Sequence, residues 1–319
     1  MKKKNIWQKI ITWPAFPALA LLIVFLVLNQ FLSPGYLSGS FISSFLSANA
    51  PMIIVSLGVS VILIGGGMDI SMGGLLCLIN VIYVSMAMEG YSLGLCLIAC
   101  LLVGTVGGAI NGLCVAVFRV TPLLTTFATS SIFGGLALWI MPEPTGSIQT
   151  EMVKWVFTFL KGYGAPILFI AIAVILWVIV KNTRMGTWIY AVGQNAPKAY
   201  MSGVPVSGVK FFMYTFSGFI TGIGGIALTS YVGSGDPLIA TTMTMSVIAA
   251  CVIGGILLSG GIGDAVGSMF GAIFLGLVIT TVLSTVKDSF FHSFVQGVIQ
   301  LVGVIGSILI ARAIRKLKL

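Results

Sequence analysis

Apolar residues run through this chain in blocks of about twenty, most of them ending at a glycine, a proline or a short polar run. A hydrocarbon layer of ~30 Å needs about 20 helical residues to cross it, and backbone groups in lipid must be paired within their own segment. Blocks of that kind predict helices near 15–32, 49–66, 70–88, 92–118, 122–140, 165–181, 211–232, 241–259, 265–284 and 293–311. The expected fold is all-α, a polytopic integral membrane protein with about ten transmembrane helices in a single domain over 1–319. The two blocks meeting at Gly65-Gly66-Gly67 are either successive crossings or a broken, re-entrant pair. The first block is too long for a removed signal peptide and lacks a small-residue cleavage site, so it is expected to be a retained helix.

Charge sets the direction. Lys2, Lys3, Lys4 and Lys9 place the N-terminus in the cytoplasm, and Arg312, Arg315, Lys316 and Lys318 place the C-terminus there too. Ten crossings satisfy both. Arg119, Lys181, Arg184, Lys198 and Lys210 then also face the cytoplasm. Lys154, Lys161 and Lys287 fall outside with Glu89, Glu143, Glu151, Asp236 and Asp288. With 7% charged residues, 58% hydrophobic residues and a mean hydropathy of +1.14, no soluble domain is left in which to run chemistry. The net charge of +9 reads as this orientation signal and as contact with anionic membrane lipid, with no nucleic-acid partner expected.

Glycines recur every fourth residue at Gly104, Gly108 and Gly112 and again at Gly263, Gly267 and Gly271. Small residues on one face let helices approach closely in lipid. The two triplets either mark tight packing alone or match each other across two inverted five-helix halves. The segment Met141–Gly164, rich in proline and aromatics, predicts an external stretch with an interfacial helix near Glu151–Leu160. Trp7, Trp13, Trp139, Trp155, Trp177 and Trp188 fall near span ends, as an aromatic belt does.

Chemistry-bearing groups are few. Cys96 and Cys100 lie one turn apart, but with one histidine in the chain and no nearby carboxylate they read as packing residues, and no metal site or cofactor is expected. The lone His292 reads as an external rim residue. No phosphate-binding G-x-x-x-x-G-K-[ST] loop, G-x-S-x-G or H-E-x-x-H occurs, so the chain carries no argument for ATP binding or catalysis of its own. Asp69, preceded by three glycines and followed by Ser71, is an acid between two apolar spans. Either Asp69 and Ser71 cap a new helix start, or they meet a solute or gate. Asn111, Thr125, Thr126 and Thr129 add uncharged polar groups, with Thr125 and Thr129 on one helix face. They suit the hydroxyls of a small polar solute or bond helix to helix.

One internal polar stretch of length remains, 182–210. Asn195 is placed to cap a short helix begun by Ala196-Pro197 and ended by Gly203. That helix would lie along the cytoplasmic face, either as a plain topological linker or as a docking element with Ala196, Ala199 and Gly203 as a small-residue side for a partner's cleft and Lys198 toward an acidic rim.

Four stretches carry a resemblance to the permease subunits of bacterial ABC importers for monosaccharides, the ribose, xylose and autoinducer-2 branch. They are Gly67-Met68-Asp69-Ile70-Ser71-Met72-Gly73; Asn111-Gly112 through Pro122 to Thr126; Thr183-Arg184-Met185-Gly186 through Gly193 and Asn195 to Gly203; and Val252 through Gly255, Gly261 and Gly263 to Gly267. Met68, Phe127, Thr187 and Ile256 depart from the usual residues, and Asp264 adds a charge. The resemblance implies alternating access in the cell inner membrane. It also implies a second permease copy or paralogue as dimer partner, a cytoplasmic ATP-binding subunit and an extracytoplasmic solute-binding protein. Arg184, Gly186, Gly193, Asn195, Ala196, Lys198, Ala199 and Gly203 would then couple to the ATPase, and hydrolysis would occur on that partner chain. The alternative is an ion-coupled secondary transporter with Asp69 as its carrier site.

Overall fold

The computed structural model describes residues 13–32, 38–148, 155, 158–285 and 289–316. Among them are eleven α-helices: α1 Phe16–Leu32, α2 Gly39–Ile64, α3 Met72–Met88, α4 Leu93–Ala116, α5 Pro122–Ile140, α6 Gly164–Lys181, α7 Arg184–Met201, α8 Val206–Val232, α9 Met243–Ile253, α10 Ala265–Thr285 and α11 Ser289–Lys316. Every predicted span has its helix. Six of them, α2, α4, α5, α6, α8 and α10, are long and apolar enough to cross a membrane, and α1, α3, α9 and part of α11 are shorter apolar helices. Lys2, Lys3, Lys4, Lys9, Trp7, Glu151, Lys154, Lys287, Asp288 and Lys318 lie outside the described residues, as do the side chains of His292, Arg312, Arg315 and Lys316.

The ends differ from expectation for local reasons. α2 begins ten residues before the predicted start at 49, where the Ser38 hydroxyl accepts from Phe41 N at 3.4 Å. Pro51 inside it does not break it, since α2 is packed on all sides. Gly66 ends it at φ +78°, with Gly66 N donating to Leu63 O and Gly67 N to Ile62 O, the paired bonds of a left-handed helix stop. α9 is shorter than the predicted 241–259. Gly254 and Gly255 stop it, and the chain turns back on itself, Leu257 N donating to Ile262 O at 3.1 Å. The interfacial helix expected over Glu151–Leu160 lies mostly outside the described residues. Its end, Phe159–Gly162, is a 3-10 turn. Trp177, expected in the aromatic belt, is instead fully buried.

α2 and α8 are the most enclosed long helices and pack on each other. Around them one pairing scheme occurs twice. α4 packs on α8 as α10 packs on α2, and α3 meets α4, α5 and α8 as α9 meets α10, α11 and α2. The repeated pairing covers α2–α5 and α8–α11, with α7 between α6 and α8. The first glycine triplet serves the α4–α8 crossing, where a Cβ on Gly104 would sit 2.9 Å from Gly222 Cα and one on Gly108 2.9 Å from Gly218 Cα. The second triplet splits: Gly267 and Gly271 press α10 on α9, while Gly263 lies in the turn before α10.

Candidate functional site: a buried polar chain and an amphipathic helix

The residues between α2 and α3, 65–71, are not helical, yet Asp69 and Ser71 are buried there. Irregular backbone between apolar helices is tolerable where protein encloses it. The Asp69 carboxylate turns on its own backbone, Oδ1 accepting from Ser71 N at 2.7 Å and from Ser71 Oγ at 2.6 Å. These bonds close a turn just ahead of α3, whose own N-cap residue, Ser71, makes no side-chain capping bond. From there the bonding leaves the segment. Asn111 Nδ2 of α4 donates to Ser71 Oγ at 2.7 Å, and Thr129 Oγ1 of α5 donates to Asn111 Oδ1 at 2.7 Å.

Four of the six polar candidates are thus one hydrogen-bonded chain, Asp69–Ser71–Asn111–Thr129, drawn from the segment and two helices. Thr126 is fully buried but bonds its own helix, Oγ1 to Pro122 O at 2.9 Å. Thr125 is buried with no partner for its hydroxyl among the described residues. α3 lies directly against α5, since a side chain on Gly74 would overlap the Ser130 carbonyl. At the other end of that seam a cavity of about 600 Å³ opens, lined by Glu89 and Glu143 among others.

A second polar cluster was not foreseen, although an asparagine inside an apolar span was its visible signal. Asn80, fully buried in α3, donates to Thr229 Oγ1 and Ser234 O at 3.1 Å each and accepts from Asp236 N at 2.8 Å. No group of three His, Cys, Asp or Glu able to hold a metal occurs among the described residues.

The polar stretch 182–210 forms α7, longer than the expected Ala196–Ser202 and kinked at Asn195, whose φ of −163° is extended. Asn195 Oδ1 accepts from Lys198 N at 2.9 Å, the expected cap, and Gly203 at φ +82° ends the helix. The helix is amphipathic. Gly186, Ile189, Val192 and Ala199 face the protein, whereas Arg184, Asn195 and Lys198 are exposed and Ala196 is half-buried. Ala199 is a correction: at 6% exposure it packs on its own chain and offers no face to a cleft. The apolar groups that do project are Tyr200 and Met201, 73% and 86% exposed. A small residue in an amphipathic helix fits its own core as well as a partner's, so spacing alone could not separate the two.

α7 is tied down at its start. Gly186 passes so close to the Lys181 backbone that a side chain would overlap it. Lys181 Nζ reaches Asp264 Oδ2 at 2.7 Å, and Trp13 Nε1 reaches the same oxygen at 3.5 Å. Asp264 Oδ1 accepts from Val266 N at 3.3 Å, so the charge that departs from the family pattern caps α10 and holds three segments together. Tyr190 donates to Gly263 O at 3.0 Å; its burial, with the Asp264 charge second, pushes the phenol pKa up to about 12.

A helix pairing that occurs twice, a broken helix pair around a polar chain and six helices long and apolar enough to cross a membrane define a polytopic all-α membrane protein. Residues 41–305 match the family described as "Branched-chain amino acid transport system / permease component", and the chain belongs to that family. It is similar to a ribose import permease protein of Bacillus subtilis (strain 168), 30% identical over 249 residues, 77% of this chain and 77% of that one. It is also similar to an autoinducer 2 import system permease protein of Escherichia coli (strain K12 / DH10B), 28% identical over 249 residues, 77% and 72% of the two chains. The matched stretches cover 66% of one relative's length and 77% of another's. The fold is that of a solved chain described as a metal-chelate type ABC transporter in an inward-facing conformation, with a TM-score of 0.55, 14% identity and coverage of 92% of this chain and 97% of that one.

Proposed function

We propose that this chain is the permease of an ABC importer for a small, neutral, sugar-like solute in the cell inner membrane, with both termini cytoplasmic. It works with a separate ATP-binding subunit, a second permease copy or paralogue and an external solute-binding protein. The observation that carries the solute class is the Asp69–Ser71–Asn111–Thr129 chain. Its groups are hydroxyls, an amide and one carboxylate already engaged by Ser71. A zwitterionic amino acid needs partners for both of its charges, and among the described residues no Lys or Arg lies in the interior of an apolar helix. The unpartnered Thr125 hydroxyl beside the chain is a free donor for a solute hydroxyl. The α3–α5 seam, running from the Glu89–Glu143 cavity to this chain, is the proposed path.

α7 is the proposed contact with the ATP-binding subunit, the function assigned to residues 182–210. Hydrolysis there biases inward against outward states only by differential binding to them. The test is uptake by proteoliposomes holding the permease with its ATPase and solute-binding protein. A panel of neutral monosaccharides is set against leucine, isoleucine and valine. Nucleotide-dependent, vanadate-sensitive uptake of a monosaccharide is expected. Uptake of the amino acids alone overturns the solute class, and uptake driven by an ion gradient without nucleotide overturns the ATPase reading.

A further inference from the structure

Three stretches of backbone, far apart in sequence, cross next to the Asp69 segment in largely backbone-to-backbone contact, the Gln194 side chain alone entering it beside Gly261. They are the end of α2 at Ile64–Gly66, α7 at Gly193–Gln194, and the turn after α9 at Gly260–Gly261. Gly261 N donates to Ile64 O at 2.7 Å. A Cβ on Gly260 would sit 2.7 Å from Gly66 Cα and 2.8 Å from Gly193 O, and one on Gly261 would sit 2.9 Å from Gln194 Cα. A side chain on Gly193 would overlap the Ile64 carbonyl. Gly260 and Gly261 also hold positive φ, so glycine is required there twice over, and Gly66 needs it for its φ of +78° alone.

Backbones in such contact have no rotamer with which to absorb a shift, and packed interiors transmit strain. On one side of the crossing lies the kink at Asn195, two residues from Gly193, with exposed Tyr200 and Met201 beyond it. On the other side the chain continues through Gly67 and Met68, whose carbonyl accepts from Tyr214 at 3.0 Å, to Asp69 and its polar chain. The geometry points to the Gly66–Gly193–Gly260 crossing as the place where a displacement of α7 becomes a displacement of the Asp69 segment. These glycines are positioning residues for transport. The inference rests on the proposed docking of the ATP-binding subunit on α7.

The experiment uses the whole transporter in lipid. Gly260→Ala is compared with Gly90→Ala, which has the same left-handed backbone, and Gly193→Ala with the helical Gly94→Ala; neither control has anything within 4 Å of its Cβ. The crossing variants are expected to retain the ATPase and hydrolyse ATP while solute moved per ATP falls about tenfold or more, since a small misplacement is costly to a positioned site. Gly90→Ala should lose about twofold at most, from backbone strain, and Gly94→Ala less. An unchanged ratio of solute to ATP in both crossing variants, or an equal loss in the two controls, overturns the proposal.

A second measurement needs no variant at the crossing. Single cysteines replacing Met68 or Gln194, with the native cysteines removed, are labelled in nucleotide-free and vanadate-trapped complexes. Both rates should change together. A change at position 194 with none at position 68 sinks the transmission point even if the alanine variants fail to assemble. Wild-type uptake that proceeds without nucleotide removes the ATPase reading itself, whereas a coupled wild type with an unaffected Gly193→Ala removes the crossing alone.

Discussion

The approaches to α3 and α9 are built alike and held differently. Each short helix follows a non-helical segment containing glycine and one aspartate, 65–71 and 233–242. In each the carboxylate Oδ1 accepts the backbone N–H two residues on, Ser71 N at 2.7 Å and Leu238 N at 2.8 Å. They occupy matching places in the repeated helix pairing, between α2 and α3 and between α8 and α9. Yet the second segment is pinned from several directions. Asn80 holds Ser234 and Asp236, Gly235 exchanges backbone bonds with Thr145 at 3.0 and 3.1 Å, and Ala240 N reaches Cys77 Sγ at 3.4 Å. The first has fewer fixed backbone partners. Its bonds run through side-chain hydroxyls and an amide to α4 and α5 and from Tyr214 of α8 to the Met68 carbonyl, and α7 approaches it at Gly66 across the Gly193 backbone. Two similar turns are thus held differently, one as an anchor and one as a candidate hinge.

The largest effect should come from exchanging what holds them. Asn80→Ala strips bonds from Asp236 N, Thr229 and Ser234 at a fully buried site, at about 1–3 kcal/mol for each group left unpaired. Thermal unfolding in detergent should drop by several degrees, with assembly reduced to match. Asn111→Ala, equally buried, also loses two bonds, yet we expect its main cost in uptake per assembled complex, because the chain it interrupts is the proposed solute contact. Both are read by thermal unfolding and by uptake normalised to assembled transporter. Equal unfolding temperatures for the two variants, with uptake intact in Asn111→Ala, would erase the distinction between anchor and hinge.

How much of this was legible follows the range of each interaction. Block length gave the ten helices, and local chemistry gave the Asn195 cap, the Gly203 stop and the break at Gly65–Gly67, because each acts within a few residues. The polar candidates could be named from their isolation in apolar sequence. That Asn111 would bond both Ser71 and Thr129, while Thr126 would bond its own helix, depends on how α4 and α5 are rotated, which no single stretch encodes. The crossing of Gly66, Gly193 and Gly260 was hidden for the same reason. Each glycine reads alone as a turn or a packing position, and the constraint exists only once three segments meet. Ala199 was misassigned because the own-chain face and the partner face of an amphipathic helix share one pattern.

An intermediate effect is expected at the tip of α7. If the hinge at 65–71 is moved from there, the projecting Tyr200 and Met201 are the anchors, and buried Ala199 is not. Tyr200→Ala or Met201→Ala should weaken binding of the ATP-binding subunit by about 1–2 kcal/mol each, roughly tenfold, a usual cost for a central apolar anchor. Titration of purified ATPase onto the permease in nanodiscs measures it. Ala199→Trp should instead lower the permease's own unfolding temperature through overpacking. Unchanged ATPase affinity in both truncation variants would leave the hinge without a driver on this helix.

The smallest effect concerns the tether at the other end of α7. Lys181 and Asp264 are 2.7 Å apart, but the lysine side chain is 39% exposed, so water and salt screen much of the attraction. Asp264 is itself buried and keeps two further donors, Trp13 Nε1 and Val266 N, when the lysine is removed. Lys181→Gln should therefore lower stability by about 1 kcal/mol or less, between an exposed pair and a fully buried one. Gln can still donate to the carboxylate, so the elbow between α6 and α7 should hold its geometry. What changes is its stiffness: with a neutral tether α7 swings more freely about Gly186, and some ATP is hydrolysed without moving the 65–71 segment. Solute transported per ATP should fall by about twofold, and raised salt should bring the wild type toward the same value. A loss as large as that of the crossing variants would mean that the ion pair, rather than the glycine crossing, sets the coupling.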